Sequence, residues 1–306
     1  MKQYLNDTER LRLLALRPEK LDMILDTDTF NEVDDQFALA YALCSKERLN
    51  VEAVYAAPFL NQTVSSPAEG MKKSHAEILR LLAKMHLSGK VNVFEGSESF
   101  LPSGDVAVES PAARDLVKRA KAHSPENPLY AVCIAAATDI ASAILLEPSI
   151  IKNMVIIWLG GNPMHWCTAR EFNLSQDIAA ARILFDCGAA LVHIPAMGVS
   201  SHLLTTLPEL KAHLEGKNAL CDALIELYAA YSPDHYGWAK EIWDISAIAY
   251  LINPDWVPAT IVHSPLLTDS HSFSTDRNRH FIKCADFVYR NPIFSDMFRK
   301  LSALKD

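Results

Sequence analysis

Five carboxylates fall within ten residues of this chain: Asp26, Asp28, Glu32, Asp34 and Asp35, in the stretch LDTDTFNEVDDQFA that begins at Leu25. Crowding like charges is costly, and a divalent cation is the simplest way to offset it. Hard oxygen donors suit Ca²⁺ or Mg²⁺ better than zinc or copper. Capping is the competing explanation, because aspartate is favoured at helix starts and meets the positive end of the helix dipole. Capping covers Asp34 and Asp35 and extends to Glu32. It does not cover Asp26 and Asp28, which alternate at the end of an apolar run where aspartate is disfavoured. The stretch therefore reads as a metal or catalytic cluster.

The cluster needs elements to hold it. Met23, Ile24 and Leu25 precede it and Phe37, Ala38, Leu39, Tyr41, Ala42 and Leu43 follow, so a buried strand leads through a loop into a helix N-terminus. The same alternation continues along the chain. Strands are expected over 22–27, 51–57, 91–94, 129–134, 153–159 and 191–195, with helices over 34–46, 68–86, 111–123, 139–147 and 177–187. Helices at 219–232 and 244–252, strands at 257–263 and 281–288, a surface loop at 264–279 and a helix at 292–304 complete the reading. The run Met154-Val155-Ile156-Ile157-Trp158-Leu159 is apolar on both faces, as in a covered parallel strand. The expected fold is α/β, an open, mostly parallel sheet flanked by helices, where ligands bind beyond the carboxyl ends of the strands. Residues 1–20 read as an N-terminal extension and 21–306 as one domain.

Composition narrows the function. The formal net charge of −8 argues against nucleic acid as a partner. Six scattered cysteines without a CxxC pair suggest reduced thiols and a cytoplasmic protein. No apolar run is long enough to span a bilayer, and the N-terminus lacks the apolar core of a signal peptide. GxSxG, P-loop and GxGxxG motifs are all missing, which leaves nucleophilic serine, ATP and dinucleotide chemistry without support.

Further polar groups stand at other strand ends. Thr138 and Asp139 follow the strand through Ile134, and Asp139 reads first as a helix cap. Gly160-Gly161 permits a close backbone approach or a tight turn. Glu171 and Asn173 share a face if their segment is extended, suiting a diol, with a solvated loop as the plain alternative. Asn61 is either a turn residue or a ligand contact. Asp244 is an N-cap or a carboxylate aimed at a pocket. His235 lies in an aromatic loop, Ser232-Pro233-Asp234-His235-Tyr236-Gly237-Trp238, that could act as a lid, although a lone loop histidine is usually unremarkable.

Taken together and in order, these segments resemble the inosine/uridine-preferring nucleoside hydrolases. Asp26-Thr27-Asp28 with Asp34-Asp35 matches the four aspartates of that family's opening Asp-x-Asp-Pro-Gly-x-Asp-Asp motif. Thr138-Asp139-Ile140-Ala141 is similar to its Thr-Asn-hydrophobic-Ala helix start. Gly160-Gly161 with Glu171-Phe172-Asn173 and Asp177 resembles its Gly-Gly…Glu-Phe-Asn…Asp block, and Asp244 with Ala247 and Ala249-Tyr250-Leu251 its late His-Asp…Ala helix. The resemblance implies the nucleoside hydrolase fold with a Rossmann-like core, a role in purine or pyrimidine salvage, a nucleoside-like substrate, and a homodimer or homotetramer. It further implies a Ca²⁺ held by Asp28, Asp35, the backbone carbonyl of Thr138 and Asp244. That ion would also bind the attacking water and the ribose 2′- and 3′-hydroxyls. Asp28 would be the general base, Asp34 would hold a ribose hydroxyl, and Asn61, Glu171 and Asn173 would grip the sugar, with Asp26 orienting the loop.

The chain also departs from the family. Five residues, Thr29–Val33, separate Asp28 from Asp34 where the common motif has three, Pro-Gly is absent, and Asn31 or Glu32 could join the metal or the sugar contacts. The family's histidine before the late aspartate is Trp243, which stacks on a base but cannot protonate it. A family asparagine before Glu171 falls on His165. Activation of the leaving group is left to His235, His165, Tyr236 or stacking on Trp243 and Trp238. Two other readings stay open: a non-catalytic ribosyl-ligand binding protein on the same fold, and an Asp-x-Asp phosphohydrolase with Asp26 as nucleophile.

Overall fold

A computed structural model describes residues 4–305. Among the described residues twelve strands form, β1 (Leu21–Thr27), β2 (Leu49–Ala56), β3 (Asn92–Glu95), β4 (Leu129–Cys133), β5 (Met154–Leu159), β6 (Ala190–Ile194), β7 (Leu204–Thr205), β8 (Lys240–Glu241), β9 (Ala259–His263), β10 (Leu266–Leu267), β11 (Phe273–Ser274) and β12 (Phe281–Ala285). Eleven α-helices accompany them: α1 (Asp7–Leu14), α2 (Asp34–Cys44), α3 (Pro67–Lys84), α4 (Pro111–Ala122), α5 (Thr138–Leu146), α6 (Phe172–Gln176), α7 (Ile178–Asp186), α8 (Leu207–Leu214), α9 (Ala219–Ala230), α10 (Ile245–Ile252) and α11 (Arg290–Ser302).

Eight strands make one sheet in the order β3-β2-β1-β4-β5-β6-β12-β9, parallel throughout except for the antiparallel β12–β9 pair at one edge. The order reverses between β1 and β4, where an open α/β sheet leaves a crevice at its carboxyl edge. Each central strand feeds both faces in alternation. Met23 and Leu25 enter the core with α2, α9, α10 and α11, whereas Ile24 enters the core with α4, α5 and α7. Burial on both faces explains why β4, β5 and β6 read as unbroken apolar runs. Helix starts follow local chemistry: Ser66 and Ser110 cap α3 and α4, each with proline at the first helical position.

Residues 1–3 of the expected N-terminal extension lie outside the described residues. From residue 4 on, the segment is built into the fold. Arg10 is only 1% exposed, and its guanidinium donates to the carbonyls of Gly188 and Leu5, both at 2.9 Å, as α1 packs on β6 and β12. The expected loop at 264–279 holds a short antiparallel pair, β10 with β11. Among the described residues no helix is long and apolar enough to cross a membrane.

Candidate functional site

The acidic stretch sits where the sheet topology directs a ligand. Asp26, next to last in β1, stands opposite Tyr55 of β2 and Cys133 of β4, and the chain then turns through Thr29–Val33 into α2. Asp34 and Asp35 open that helix, but Val33 is the capping residue and makes no side-chain cap. The two carboxylates therefore meet the helix dipole without spending their oxygens on it. Beyond the strand ends lies a cavity of about 170 Å³. It is smaller than the roughly 300–1,000 Å³ usual for a whole drug-sized ligand, so it encloses a sugar-sized group and leaves the remainder of a ligand at its mouth.

The strands supply the cavity wall in order. Asp28 follows β1, Ile134 follows β4, Leu159 ends β5 and Ala196 follows β6, while Trp243 and Asp244 come from the start of α10. Asp34, Asp35 and Asp244 each offer a carboxylate oxygen, all within 4.8 Å of one another. Asp34 and Asp244 stand side by side in this cluster, and burial raises the pKa of both. Thr27 Oγ1 donates to Asp35 Oδ1, and Oδ2 of Asp28 is buried with no partner among the described residues. Burial raises the pKa of Asp28 well above the usual range, with the charges of Asp35 and Asp34 adding to the effect. Burial raises Asp35 and Asp244 in the same way, helped in both by Asp34. Asp34 is pushed up only to about 6, because Lys240 opposes the cost of burial. Hard donors converging on an orphaned buried oxygen fit a hard divalent cation.

Glu171 and Asn173 line the same cavity, but not on an extended face. Glu171 is the N-cap of the short helix α6, and its oxygens accept from the backbone N–H groups of Gly161 at 2.6 Å, Asn173 at 2.9 Å and Leu174 at 3.1 Å. Burial raises its pKa in spite of those donors. Gly161 reaches this contact at φ +69°, in the left-handed region. Asn173 Nδ2 donates to the carbonyls of Ile134 at 3.2 Å and Leu159 at 3.0 Å, tying the ends of β4 and β5 to α6.

Other expected residues lie elsewhere. Thr138 does not line the cavity. It begins α5, and its hydroxyl donates to Asp177 at 2.8 Å. Ile134, four residues earlier and just past β4, does line the cavity. His235 has its Nε2 3.0 Å from the carbonyl of Ala229, packs on Trp238 and Tyr228, and is not among the residues that line the cavity. His165 is exposed on its loop, away from the lining residues. Asn61 touches the site indirectly, donating to Asn31 Oδ1 at 2.9 Å, and Asn31 does line the cavity.

Asp139 makes no cap for its own helix. Its Oδ1 accepts from the backbone N–H of Ser97 and from the hydroxyls of Ser97 and Ser110. Asp244 is the N-cap residue of α10 but makes no cap hydrogen bond, so its carboxylate is free for the cavity. Asp26 is fully buried beneath the loop and does not line the cavity, which removes it as a phosphohydrolase nucleophile.

One residue was missed. Lys240 Nζ donates to Glu32 Oε2 at 2.6 Å and lies 5.8 Å from the Trp243 ring centroid and 5.4 Å from that of Tyr231. Its sequence signal was isolation, since it is the only Lys or Arg between Lys217 and Arg277.

A sequence model of the family described as inosine-uridine preferring nucleoside hydrolase matches residues 23–285. A probable uridine nucleosidase 2 of Arabidopsis thaliana is 25% identical over 271 residues, covering 80% of this chain and 79% of that one. A pyrimidine-specific ribonucleoside hydrolase of Escherichia coli O157:H7 is 24% identical over 173 residues, 50% of this chain and 55% of its own. Among solved structures, a plant nucleoside hydrolase superposes with a TM-score of 0.72 at 20% identity, over 94% of this chain and 100% of that one. A purine-preferring ribonucleoside hydrolase from Gardnerella vaginalis gives 0.69 at 22% identity, over 92% and 98%. The structural likeness at these identities is one of fold.

Proposed function

The chain belongs to the inosine-uridine preferring nucleoside hydrolase family and is a hydrolase of N-glycosyl bonds, and from that premise we propose a calcium-dependent N-ribohydrolase in which Asp28 is the general base. The observation that carries this reading is the convergence of Asp28, Asp34, Asp35 and Asp244 on one cavity at the carboxyl ends of the strands. Cleavage of an N-glycosidic bond passes through an oxocarbenium-like state with positive charge on the ribose. The surrounding carboxylates stabilise that charge.

Asp28 takes a proton from the attacking water on its otherwise unpartnered Oδ2. Glu171, fixed by three backbone donors, and Asn173, fixed to two carbonyls, hold the ribosyl hydroxyls. Asp28, Asp34, Asp35, Asp244 and the carbonyl of Ile134 are the groups that would hold Ca²⁺. When bound, the cation supplies Lewis acidity toward the water and the ribose hydroxyls. The family also supports a homodimer or homotetramer working in the cytoplasm.

Ribose release from inosine, uridine and related nucleosides, with Ca²⁺ and with EGTA, tests the reading. Chelator-sensitive release of reducing sugar is expected. Release that EGTA leaves untouched would remove calcium from the mechanism.

A further inference from the structure

Glu171 leans on a peptide that cannot hold itself still. Two of the three N–H groups that fix its carboxylate, those of Asn173 and Leu174, belong to α6 and move with it. The third, from Gly161 at 2.6 Å, comes from outside that helix. It belongs to the peptide unit between Gly160 and Gly161, and a unit flanked by two glycines can rotate by half a turn at little conformational cost. Rotated, it would aim its carbonyl oxygen at the carboxylate. Neither residue can be stiffened by a side chain, because a Cβ at Gly160 would run into the Trp158 ring and one at Gly161 would stand 2.8 Å from Leu174 Cδ1. The restraint has to come from elsewhere.

It comes from β6. His193 Nε2 lies 2.7 Å from the carbonyl oxygen of Gly160, the opposite end of the same planar unit. A carbonyl only accepts, so Nε2 carries the hydrogen. The ring is neutral near pH 7, since burial lowers its pKa to about 4. Nδ1 is then an acceptor, and Cys284 Sγ of β12 faces it at 3.6 Å, closer than the 3.8 Å to the Ala285 carbonyl that the thiol also reaches. Burial pushes that thiol up to about 12, so it keeps the hydrogen it donates. The cysteine thereby favours the tautomer that Gly160 requires.

Packing alone does not call for a histidine here. Phe185 and Phe273 meet the ring edge-on, with centroids 5.3 and 6.0 Å away, and Trp158 lies tilted at 6.0 Å. An apolar ring would fill that box with less desolvation, and the imidazole repays its burial through its hydrogen bonds.

Resting on the N-ribohydrolase reading, we propose that His193 is a positioning residue, which locks the Gly160–Gly161 peptide so that its N–H keeps Glu171 aimed at the ribosyl hydroxyls. His193 itself touches no substrate. Its donation to the carbonyl also polarises the amide and strengthens the hydrogen bond at the far end of the unit.

His193→Phe keeps an aromatic ring and removes the donor, whereas His193→Gln retains one. With the calcium-loaded protein and inosine or uridine, His193→Phe should raise KM about tenfold at near-parental kcat, as when an interaction common to ground state and transition state is lost. His193→Gln should recover part of that loss. A KM within about twofold of the parent in His193→Phe, or an equal loss in both variants, overturns the proposal. A cycle with Glu171→Gln separates positioning from packing: the effect of His193→Phe on KM should vanish once the carboxylate is gone, and an effect that persists undiminished makes His193 a packing residue only. Nitrogen NMR shifts of the unaltered protein need no variant to fold. They should show His193 as the neutral Nε2–H tautomer, and the Nδ1–H tautomer or an imidazolium overturns the lock. If the parent releases no ribose from any nucleoside, the hydrolase reading fails by itself. The calorimetric Kd for D-ribose then carries the same comparison of variants, and a parent that binds no ribose ends both.

Discussion

Lys240 Nζ and Glu32 Oε2 meet at 2.6 Å across 208 residues of sequence, joining the long acidic loop after β1 to the strand that precedes Trp243. The ammonium side chain is 10% exposed and the carboxylate 37%, so water screens the pair only in part. Lys240 also opposes the effect of burial on Asp34. It therefore keeps an extra carboxylate in the loop compatible with the cluster behind it.

Lys240→Gln should raise the pKa of Asp34 further above about 6, because the charge that favours its ionised form is lost. The acid limb of the pH–rate profile is expected to move to higher pH. A double-mutant cycle with Glu32→Gln should return a coupling of about 0.5–3 kcal/mol in thermal unfolding. Additive single effects would show the contact to be energetically idle.

Asp28→Asn preserves side-chain volume and removes the base. Turnover should fall by at least about 10²–10⁴-fold, with circular dichroism and melting temperature close to those of the parent. Substantial residual ribose release would rule out Asp28 as the base.

The carboxyl shifts predict how metal and pH act together on stability. Asp34 has a folded pKa of about 6, above the roughly 3.9 of an unfolded aspartate. The metal-free folded chain thus binds this proton more tightly than the unfolded chain does, and Asp34 costs stability as pH rises through that window. Calcium binds the ionised carboxylates and reverses the cost. The rise in melting temperature on adding millimolar Ca²⁺ should be larger at pH 7.5 than at pH 5, and smaller at both in Asp244→Asn. Using the difference between calcium and EGTA cancels groups outside the site, such as His193, whose pKa burial lowers to about 4.

Gly161→Ala should both destabilise the protein and loosen the sugar contacts. Its φ of +69° costs an L-residue about 1–2 kcal/mol. A Cβ there would stand 2.8 Å from Leu174 Cδ1. Glu171 loses the aim of its 2.6 Å donor, so KM for ribosyl substrates should rise along with the loss of stability. A stable variant with unchanged KM would free Glu171 from any dependence on this turn.

The sheet was legible because its strands are covered on both faces and its helices open with strong caps. The eight strands of the main sheet and α2, α3, α4, α5 and α7 fall close to their expected positions. α6 and α8 were missed: α6 spans only Phe172–Gln176, too short for a periodic pattern, and α8 starts in a Thr-Leu-Pro segment that reads as a break. The acidic cluster was legible from spacing alone, since aspartates closing an apolar strand have no cheaper explanation. Ile134 was not, because an apolar residue just past a buried strand carries no chemical sign that it lines a cavity. The reading put the backbone ligand at Thr138, which begins α5 and does not line the cavity. His235 drew notice for its chemistry, yet Tyr228 and Trp238 hold it against the carbonyl of Ala229. Lys240 escaped because its partner is remote in sequence.

The raised pKa values of the buried carboxyls Asp34, Asp35 and Asp244 make the cluster an ion exchanger. A cation enters by evicting protons, so loading the site acidifies a weakly buffered solution. The apparent heat of binding then depends on the ionisation enthalpy of the buffer. The same exchange gives the empty protein a way to hold its acidic loop together before metal arrives, with hydrogen ions as temporary occupants.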